Sequence, residues 1–173
     1  MTIIIADSLI MKISKIEIVV NISTQKLHYL LNGKQKKEYS ISTASKGIGN
    51  KAGSYKTPLG KHSICEKIGK GAKFGTIFKG KNKTKEIALI DPDELNARDD
   101  FITTRIMCLE GLEKGINRGK DINTKQRCIW IHGTQNERFI GKPASHGCIR
   151  MMNSDIIELF KMVHVGTIVT IEK

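Results

Sequence analysis

Residues 128–153 read Cys-Ile-Trp-Ile-His-Gly-Thr-Gln-Asn-Glu-Arg-Phe-Ile-Gly-Lys-Pro-Ala-Ser-His-Gly-Cys-Ile-Arg-Met-Met-Asn. The alternating run from Arg127 to Ile131 predicts a buried strand that stops at His132. The glycine-bearing loop that follows brings the chain back to Ser145-His146-Gly147-Cys148. The stretch therefore predicts an imidazole and a thiol at the two ends of one loop.

These side chains are suited to nucleophilic catalysis. A cysteine reacts mainly as its thiolate, and an unperturbed pKa of about 8.5 leaves only a few per cent ionised near neutrality. A histidine within hydrogen-bond reach of Cys148 can take the proton and give a thiolate–imidazolium pair. A helix that starts just after Cys148 would add positive potential, and the N–H groups around Gly147 and Cys148 could hold an oxyanion. The stretch thus contains the parts of a cysteine acyl-transfer site.

The same stretch resembles the signature of the L,D-transpeptidase (YkuD) catalytic domain. In that family a histidine in an Ile-His-Gly-Thr context precedes a Ser-His/Lys-Gly-Cys-Ile-Arg-Met-x-Asn motif. The matching positions here are His132-Gly133-Thr134, Ile140-Gly141, Ser145 to Met151, and Asn153. The separation of 148 − 132 = 16 positions resembles that of shorter-loop members. Thr57-Pro58-Leu59-Gly60 also resembles the family's Thr-Pro-x-Gly turn.

The resemblance implies catalytic roles for three residues. Cys148 would be the nucleophile, His132 the general base and acid, and Gly133 would orient the imidazole through its backbone carbonyl. The residues expected in the oxyanion pocket or against the substrate are Ser145, His146, Gly147, Arg150 and Asn153. Arg150 and Asn153 could serve the loop structure or bind substrate carboxylates, and both readings stay open. His146 is the weaker match, because that position is often lysine in the family.

Length and composition predict one globular domain. The chain has 173 residues, of which 39% are hydrophobic and 27% charged. No apolar run approaches the ~20 residues of a membrane span, and no signal peptide is visible in the first residues. Residues 1–15 are expected to be an N-terminal extension and residues 16–173 the catalytic domain. The resemblance implies the bacterial cell envelope, and the absence of a visible signal peptide leaves the cytoplasm open.

The net charge of +12 could suit an anionic wall polymer, a membrane surface or a nucleic acid. Lysines are scattered without a basic helix, and only 5% of residues are aromatic, which is poor provision for base stacking. We therefore expect no nucleic-acid partner. A solvated basic surface and attraction to an anionic cell wall both remain open, and the expected state is a monomer.

The four cysteines contain no Cys-x-x-Cys pair. Cys65, Cys108 and Cys128 are expected to be core residues, and a disulfide among them stays open. A zinc site built from His132, His146 and Cys148 is conceivable. Because the Ser-His-Gly-Cys context favours nucleophile chemistry, we expect neither a metal nor a cofactor.

Hydrophobic periodicity predicts a mainly β protein with one helix. The distribution of apolar residues predicts further strands at 16–22, 27–31, 38–42, 86–90, 102–109 and 167–172. The resemblance of residues 57–60 to the family's turn implies one more strand at 61–66. Apolar residues at helical spacing from Ile156 to Val163 predict the helix, with Asn153 or Ser154 as its N-cap. Residues 67–85 are too polar for core, and loops of this length are often functional. Their resemblance to a similarly placed segment of the family implies a flap or wall of the substrate groove. The expected architecture is two packed sheets with the helix on one side, and the resemblance implies the β-sandwich-like L,D-transpeptidase catalytic fold.

The resemblance implies a peptidoglycan L,D-transpeptidase that acts on tetrapeptide stems. Cys148 would form a thioester, release D-alanine and pass the acyl group to an amine, giving a 3-3 cross-link or protein anchoring. With water as acceptor, the same site would be an L,D-carboxypeptidase. The resemblance also implies that carbapenem-type inhibitors acylate Cys148.

Two other functions use the same residues differently. A non-catalytic wall-binding domain would keep the fold alone, and the retained His132 and Cys148 argue against it. A cysteine peptidase acting on ordinary L-peptides would use the same pair, but the specific motif points to murein.

Overall fold

The computed structural model describes residues 14–90 and 100–173. The elements in chain order are β1 (Ile16–Asn21), β2 (Lys26–Leu31), β3 (Lys34–Ser42), β4 (Gly60–Ile68), β5 (Thr76–Lys79), β6 (Asn82–Ile87), β7 (Ile102–Gly111), β8 (Trp130–Thr134), a 3-10 turn (Glu137–Phe139), β9 (Ile149–Met151), α1 (Asn153–Met162) and β10 (Ile168–Glu172). Most of the predicted N-terminal extension lies outside the described residues. Within them, no helix combines the length and the apolarity that crossing a membrane requires.

The strands form one continuous sheet. Its order is β4-β10-β1-β2-β3-β9-β8-β7-β5-β6, and β7 also pairs with β4. Eight strands therefore close on themselves, and the β5–β6 hairpin is attached to one end of β7 through Ile77 opposite Thr103. The predicted mainly β, sandwich-like class with one helix is confirmed, and hydrogen bonding runs from one half of the sandwich to the other.

The main core collects the inward-facing residues of all eight closed strands. Ile18 and Val20 of β1 are fully buried, as their alternation predicts. Helix α1 adds an apolar stripe in which Ile156 and Leu159 are fully buried. This packing holds the two strands within residues 128–153, β8 and β9, in place.

A second, smaller cluster lies on the other face of β7 and β8. Its buried members are Ala72, Phe78, Ile106, Cys108 and Trp130. The prediction of a polar loop at 67–85 is therefore wrong in part, because this segment holds the end of β4, the whole of β5 and most of β6. The many lysines and glycines around Phe78 gave no strand signal in the sequence. Two short strands, β5 and β6, nevertheless form there, and their inner side covers the cluster.

Several boundaries also differ from the sequence prediction. The strand expected to stop at His132 begins at Trp130 and runs through His132, because Cys128 turns the chain with a φ of 55°. The strand expected at 86–90 ends at Ile87, and the residues that follow Ile90 lie outside the described part. Helix α1 starts at Asn153 with Met152 as N-cap, so neither Asn153 nor Ser154 caps it.

The cysteines are all free. Cys108 is buried and Cys65 is half-buried against the second cluster, as expected of core residues. Cys128 is exposed, which corrects the expectation that it lies in the core. Its left-handed backbone places it in the turn before β8 rather than in the strand.

Phe78→Ala tests whether the hairpin is part of the packed structure. Phe78 is 3% exposed, so truncation should lower the free energy of unfolding by about 3–5 kcal/mol, measured by urea denaturation. The matched control is Phe74→Ala in the same segment, where the ring is 49% exposed and the change should stay within about 0.5 kcal/mol. Equal effects of the two substitutions would contradict the buried hairpin.

Candidate active site

The parallel pairing of β8 with β9 creates the site. Ile131 lies opposite Ile149 and His132 opposite Arg150. Side chains alternate between the faces of a strand, so Ile131 and Ile149 enter the main core while His132 and Arg150 share the other face. Cys148, two residues before Arg150, lies on the same face as His132.

His132 is buried in β8 and held by its neighbour. Its Nδ1 lies 2.8 Å from the carbonyl oxygen of Gly133. A carbonyl can only accept, so Nδ1 carries the hydrogen and Nε2 keeps its lone pair. Burial lowers the pKa of His132 to about 4, against the opposing effect of the Gly133 carbonyl. The imidazole is therefore neutral at pH 7 and has a free basic nitrogen.

The Cys148 sulfur lies between two backbone groups. Trp130 N–H donates to Sγ over 3.4 Å, and the thiol donates to the Cys128 carbonyl, also over 3.4 Å. Burial raises the pKa of Cys148 to about 11, although the Trp130 N–H and the Arg150 guanidinium favour the thiolate. The free site thus rests as a neutral thiol and a neutral imidazole, which differs from the ion pair expected from sequence.

A charged group that the sequence did not indicate lies beside this pair. Asp100 accepts a hydrogen bond from the buried guanidinium of Arg150, and His146 Nδ1 lies 3.4 Å from the same carboxylate oxygen. Arg150 lowers the pKa of both His132 and Cys148, and Asp100 raises both. Asp100 therefore balances the charge next to the thiol.

Hydrogen bonds fix the loop that carries Cys148. Ser145 Oγ donates to the Cys148 carbonyl over 2.6 Å and accepts from Gly147 N–H over 3.1 Å. Thr57 Oγ1 donates to the Gly147 carbonyl over 3.0 Å and accepts from Ala44 N–H. The threonine of the Thr-Pro-x-Gly turn thus ties the glycine-rich segment to the cysteine loop.

Asn153 lies below the site. Its Oδ1 accepts from the hydroxyls of Thr103 and Thr104, and its Nδ2 donates to Thr134 O and Glu137 Oε1. The side chain is fully buried and does not reach the cavity that contains Cys148. Of the two readings of Asn153, the geometry supports the structural one.

The packing of Asn153 and Thr103 against residue 133 explains why this residue is a glycine. A Cβ at Gly133 would meet Asn153 Oδ1 at 2.6 Å and Thr103 O at 2.7 Å. Glycine is therefore required here by close approach, independently of what its carbonyl does for His132.

Two cavities adjoin at the site. The one containing Cys148 has a volume of about 150 Å³ and is lined by Asp100, Ile102, Arg127, Cys128, Ile129, His132, Ser145, His146, Cys148 and Arg150. A second cavity, of about 400 Å³, shares Arg127, Ile129 and His146 with it and adds Tyr55 and Asp121. No residue of 67–85 lines either of them, so the expected groove wall is not found there.

Helix α1 begins after the loop of Cys148, and the described residues form no metal-binding group at the thiol. Strand β9 lies between Cys148 and α1, and the helix begins at Asn153, a few residues after the cysteine as predicted. Among residues 14–90 and 100–173, no three His, Cys, Asp or Glu side chains are grouped to hold a metal ion, and His132, His146 and Cys148 form no such group.

Asp100, Trp130 N–H and Arg127 are functional candidates that sequence reasoning missed. Asp100 meets Arg150 across 50 positions of sequence, and no motif contains it. Arg127 donates to the carbonyls of Gly49, Asn50 and Lys56 and so shapes the segment opposite Cys148. In the sequence, Arg127 is marked only as the first residue of the strand predicted at 127–131, and its contacts with Gly49, Asn50 and Lys56 are more than 70 positions away.

Comparison with known proteins identifies the family. The profile of the L,D-transpeptidase catalytic domain, YkuD, matches residues 15–171. The Bacillus subtilis (strain 168) protein YkuD, classed as an L,D-transpeptidase, is 58% identical over 43 residues, which are 25% of this chain and 26% of that protein. A second B. subtilis protein of the same class, YqjB, is 48% identical over 48 residues, or 28% of this chain and 27% of that protein.

Solved structures show the same fold. An L,D-transpeptidase in complex with imipenem is 15% identical with a TM-score of 0.56, over 92% of this chain and 59% of that one. An L,D-transpeptidase from Mycobacterium smegmatis gives the same identity and coverages with a TM-score of 0.54. The chain therefore spans a little over half of these proteins, and at this identity the likeness is one of fold.

The pH dependence of thiol alkylation tests the neutral resting pair. Because burial raises the pKa of Cys148 to about 11, its thiolate fraction should grow about tenfold per pH unit between pH 7 and pH 9.5. The iodoacetamide reaction at Cys148, followed by peptide mass spectrometry, should rise in the same way. Cys128→Ser removes the exposed thiol as a background. A rate that is already flat above pH 7 would mean an ion pair at rest.

Thr57→Val tests how the cysteine loop is held. The substitution keeps the shape but leaves Gly147 O and Ala44 N–H without their partner, so unfolding should cost about 1–3 kcal/mol less. The alkylation rate at Cys148 should change as well, because the loop loses its tie. Thr57→Ser keeps the hydroxyl and should behave like the wild type, and an equal effect of both would contradict this role.

Proposed function

The chain belongs to the L,D-transpeptidase catalytic-domain family, and on that premise we propose that it is a cysteine-dependent peptidoglycan L,D-transpeptidase. Cys148 attacks the carbonyl of the third residue of a tetrapeptide stem. A thioester forms, the terminal D-alanine leaves, and an acceptor amine then takes the acyl group. The observation that carries the proposal is the neutral His132, bound at Nδ1 by Gly133 O over 2.8 Å, in one cavity with Cys148.

His132 moves the protons in this reaction. Its Nε2 takes the thiol proton as Cys148 attacks, and the resulting imidazolium gives that proton to the departing D-alanine amine. Gly133 O stabilises the imidazolium through Nδ1–H, in place of a third side chain. His132 then takes a proton from the acceptor amine as it attacks the thioester.

The thiolate forms only as the substrate arrives. Burial opposes charge on either group, so transfer costs free energy in the empty site. Trp130 N–H and Arg150 lower that cost because both favour the thiolate. A substrate that fills the cavity also excludes water, which strengthens these interactions.

The oxyanion is assigned to the backbone of Cys148. Gly147 N–H already donates to Ser145 Oγ, so it is occupied. Within the described residues, no acceptor contacts the N–H of Cys148. We assign this N–H to the developing oxyanion, and Ser145 and Gly147 to the positioning of the loop that presents it.

Arg150 and His146 are given different tasks. Arg150 is 4% exposed and engaged with Asp100, so we assign it to the electrostatics of the site rather than to a direct substrate contact. The His146 side chain is 68% exposed, lines both cavities and stacks edge-on against Tyr55. We assign His146 and Tyr55 to substrate binding.

The adjoining cavity of about 400 Å³ is the proposed place of the second substrate. It adjoins the cavity of Cys148, and its lining includes the Asp121 carboxylate, which can bind the ammonium form of an amine, as well as the Arg127 guanidinium. This room favours an amine acceptor over water. The L,D-carboxypeptidase reading remains the alternative outcome of the test below.

The same thioester chemistry underlies two further proposals. We expect carbapenems to acylate Cys148, and a relative of the same fold has been solved in complex with imipenem. We place the protein in the bacterial cell envelope, where peptidoglycan stems occur.

Intact-protein mass spectrometry with a purified disaccharide-tetrapeptide tests the function. The wild type should release D-alanine and carry a thioester adduct, and Cys148→Ala should do neither while unfolding like the wild type. His132→Ala should slow acylation by roughly 100-fold or more, because the general base is lost. Cys65→Ser, at a free cysteine that lines neither cavity of the site, is the matched cysteine control and should keep full activity.

Adding a second stem as acceptor separates the readings. A dimeric product establishes a transpeptidase, and a tripeptide alone establishes a carboxypeptidase. No adduct and no turnover with folded wild-type protein would contradict the proposal.

A further inference from the structure

Although basic residues occur throughout the chain, one segment is basic without any acidic residue. Residues 67–85 contain seven lysines and no acidic residue, while the whole chain has 29 lysines and arginines for a net charge of +12. This segment contains the end of β4, the loop before β5, the whole of β5 and most of β6, whose last two residues are Glu86 and Ile87. We propose that the hairpin is a docking surface for an anionic lipid membrane, a property separate from the proposed reaction.

Three of the seven lysines are already engaged by the protein. Lys67 donates to the carbonyl of Phe160 at the end of α1, Lys79 pairs with Glu86, and Lys81 pairs with Glu66. The other four lysines form no ion pair with an acidic side chain of the described residues. They are Lys70, Lys73, Lys83 and Lys85. Their charge is available to an external anion.

The free lysines converge on a cavity. Lys73, Lys83 and Lys85 line a depression of about 300 Å³ together with Thr76, Thr84 and Ile87. Among the described residues, the lining has three ammonium groups and no carboxylate, so the concavity is strongly positive, which suits the phosphate of a lipid headgroup.

Exposed apolar side chains accompany these lysines. Ile87 is 53% exposed and lines the same cavity, and Phe74, next to Lys73, is 49% exposed. The two lie close together, since Gly75 O accepts from Ala88 N–H over 2.8 Å. Protein surfaces that lie in the membrane interface combine exposed large apolar side chains with surrounding lysines.

This combination favours a bilayer over other polyanions. A soluble phosphate polymer would use the lysines but gain little from Phe74 and Ile87. Single-stranded nucleic acid needs stacking platforms, and Phe74 is the one exposed aromatic residue in 67–85. An anionic membrane satisfies both the charge and the apolar side chains.

The hairpin is also firmly attached, so docking would orient the site. Ile77 and Phe78 pair with Thr103 and Ile102 of β7, and Gly75 N–H donates to Thr104 Oγ1 over 2.9 Å. A membrane bound at the hairpin would therefore hold the whole sheet, and with it Cys148, in one orientation to the lipid surface.

Vesicle co-sedimentation of the full chain tests this inference. The protein should bind vesicles of phosphatidylglycerol mixed with phosphatidylcholine and should not bind pure phosphatidylcholine. Binding should weaken steeply as salt rises above about 0.1 M, because exposed charges are then screened. Failure to bind the anionic vesicles at low salt would overturn the inference, whatever the enzymatic activity.

Matched variants locate the surface. Replacing the three cavity lysines with glutamine should lower the partition coefficient on the order of 100-fold. The control Lys34→Gln/Lys36→Gln/Lys114→Gln removes the same charge from exposed positions away from the hairpin and should lower it much less. Equal losses would mean attraction by net charge alone and would overturn the site.

A second variant separates membrane from polymer. Phe74→Ser/Ile87→Ser keeps every lysine and should lower vesicle binding roughly tenfold or more, while leaving binding to soluble polyglycerol phosphate unchanged. Unchanged vesicle binding would show a polyanion surface instead of a membrane surface. Circular dichroism and thermal unfolding confirm that each variant is folded.

Discussion

The parallel register of β8 against β9 is the constraint on which the rest of the site depends. With Ile131 opposite Ile149, every second side chain enters the main core and the others share the face that carries the thiol. A slip of one residue would turn His132 into the core and Ile131 into the cavity. Burial of Ile131, Ile149 and Met151 therefore stabilises the register and, through it, places His132 and Cys148 together.

The same burial that aligns the pair also suppresses its charge. It raises the pKa of Cys148 and lowers that of His132, so both groups are neutral in the free protein. Reactivity must then come from groups that favour charge at the moment of transfer, and the structure supplies Trp130 N–H, the Gly133 carbonyl and Arg150. Asp100 moderates Arg150, which would otherwise disfavour the imidazolium. A thiol of this kind is expected to react slowly with alkylating agents near neutral pH, because little of it is ionised.

Sequence predicted the elements whose signal is local. The strands β1 and β2 and the helix α1 follow from side-chain periodicity, and the family resemblance was evident from contiguous motif residues. The features that were missed depend on contacts between distant segments. Phe78 is a core residue because it belongs to one buried cluster with Ala72 and Trp130. Asp100 is hydrogen-bonded to Arg150, which follows it by 50 positions in the sequence. The closure of the sheet by β4 against β7 has no local signature either.

Asn153 shows how such long-range contacts join the parts of the molecule. Its amide binds Thr103 and Thr104 of β7, Thr134 at the end of β8 and Glu137 beyond it, while its backbone begins α1. Thr104 in turn accepts from Gly75 at the base of the hairpin. One buried side chain thus links the strand of His132, the helix and the lysine-rich hairpin. Because this link is buried and fully hydrogen-bonded, the hairpin and the catalytic strand are expected to move as one body. A surface that orients the hairpin would consequently orient the thiol as well, which connects the charge distribution of the chain to the position of its chemistry.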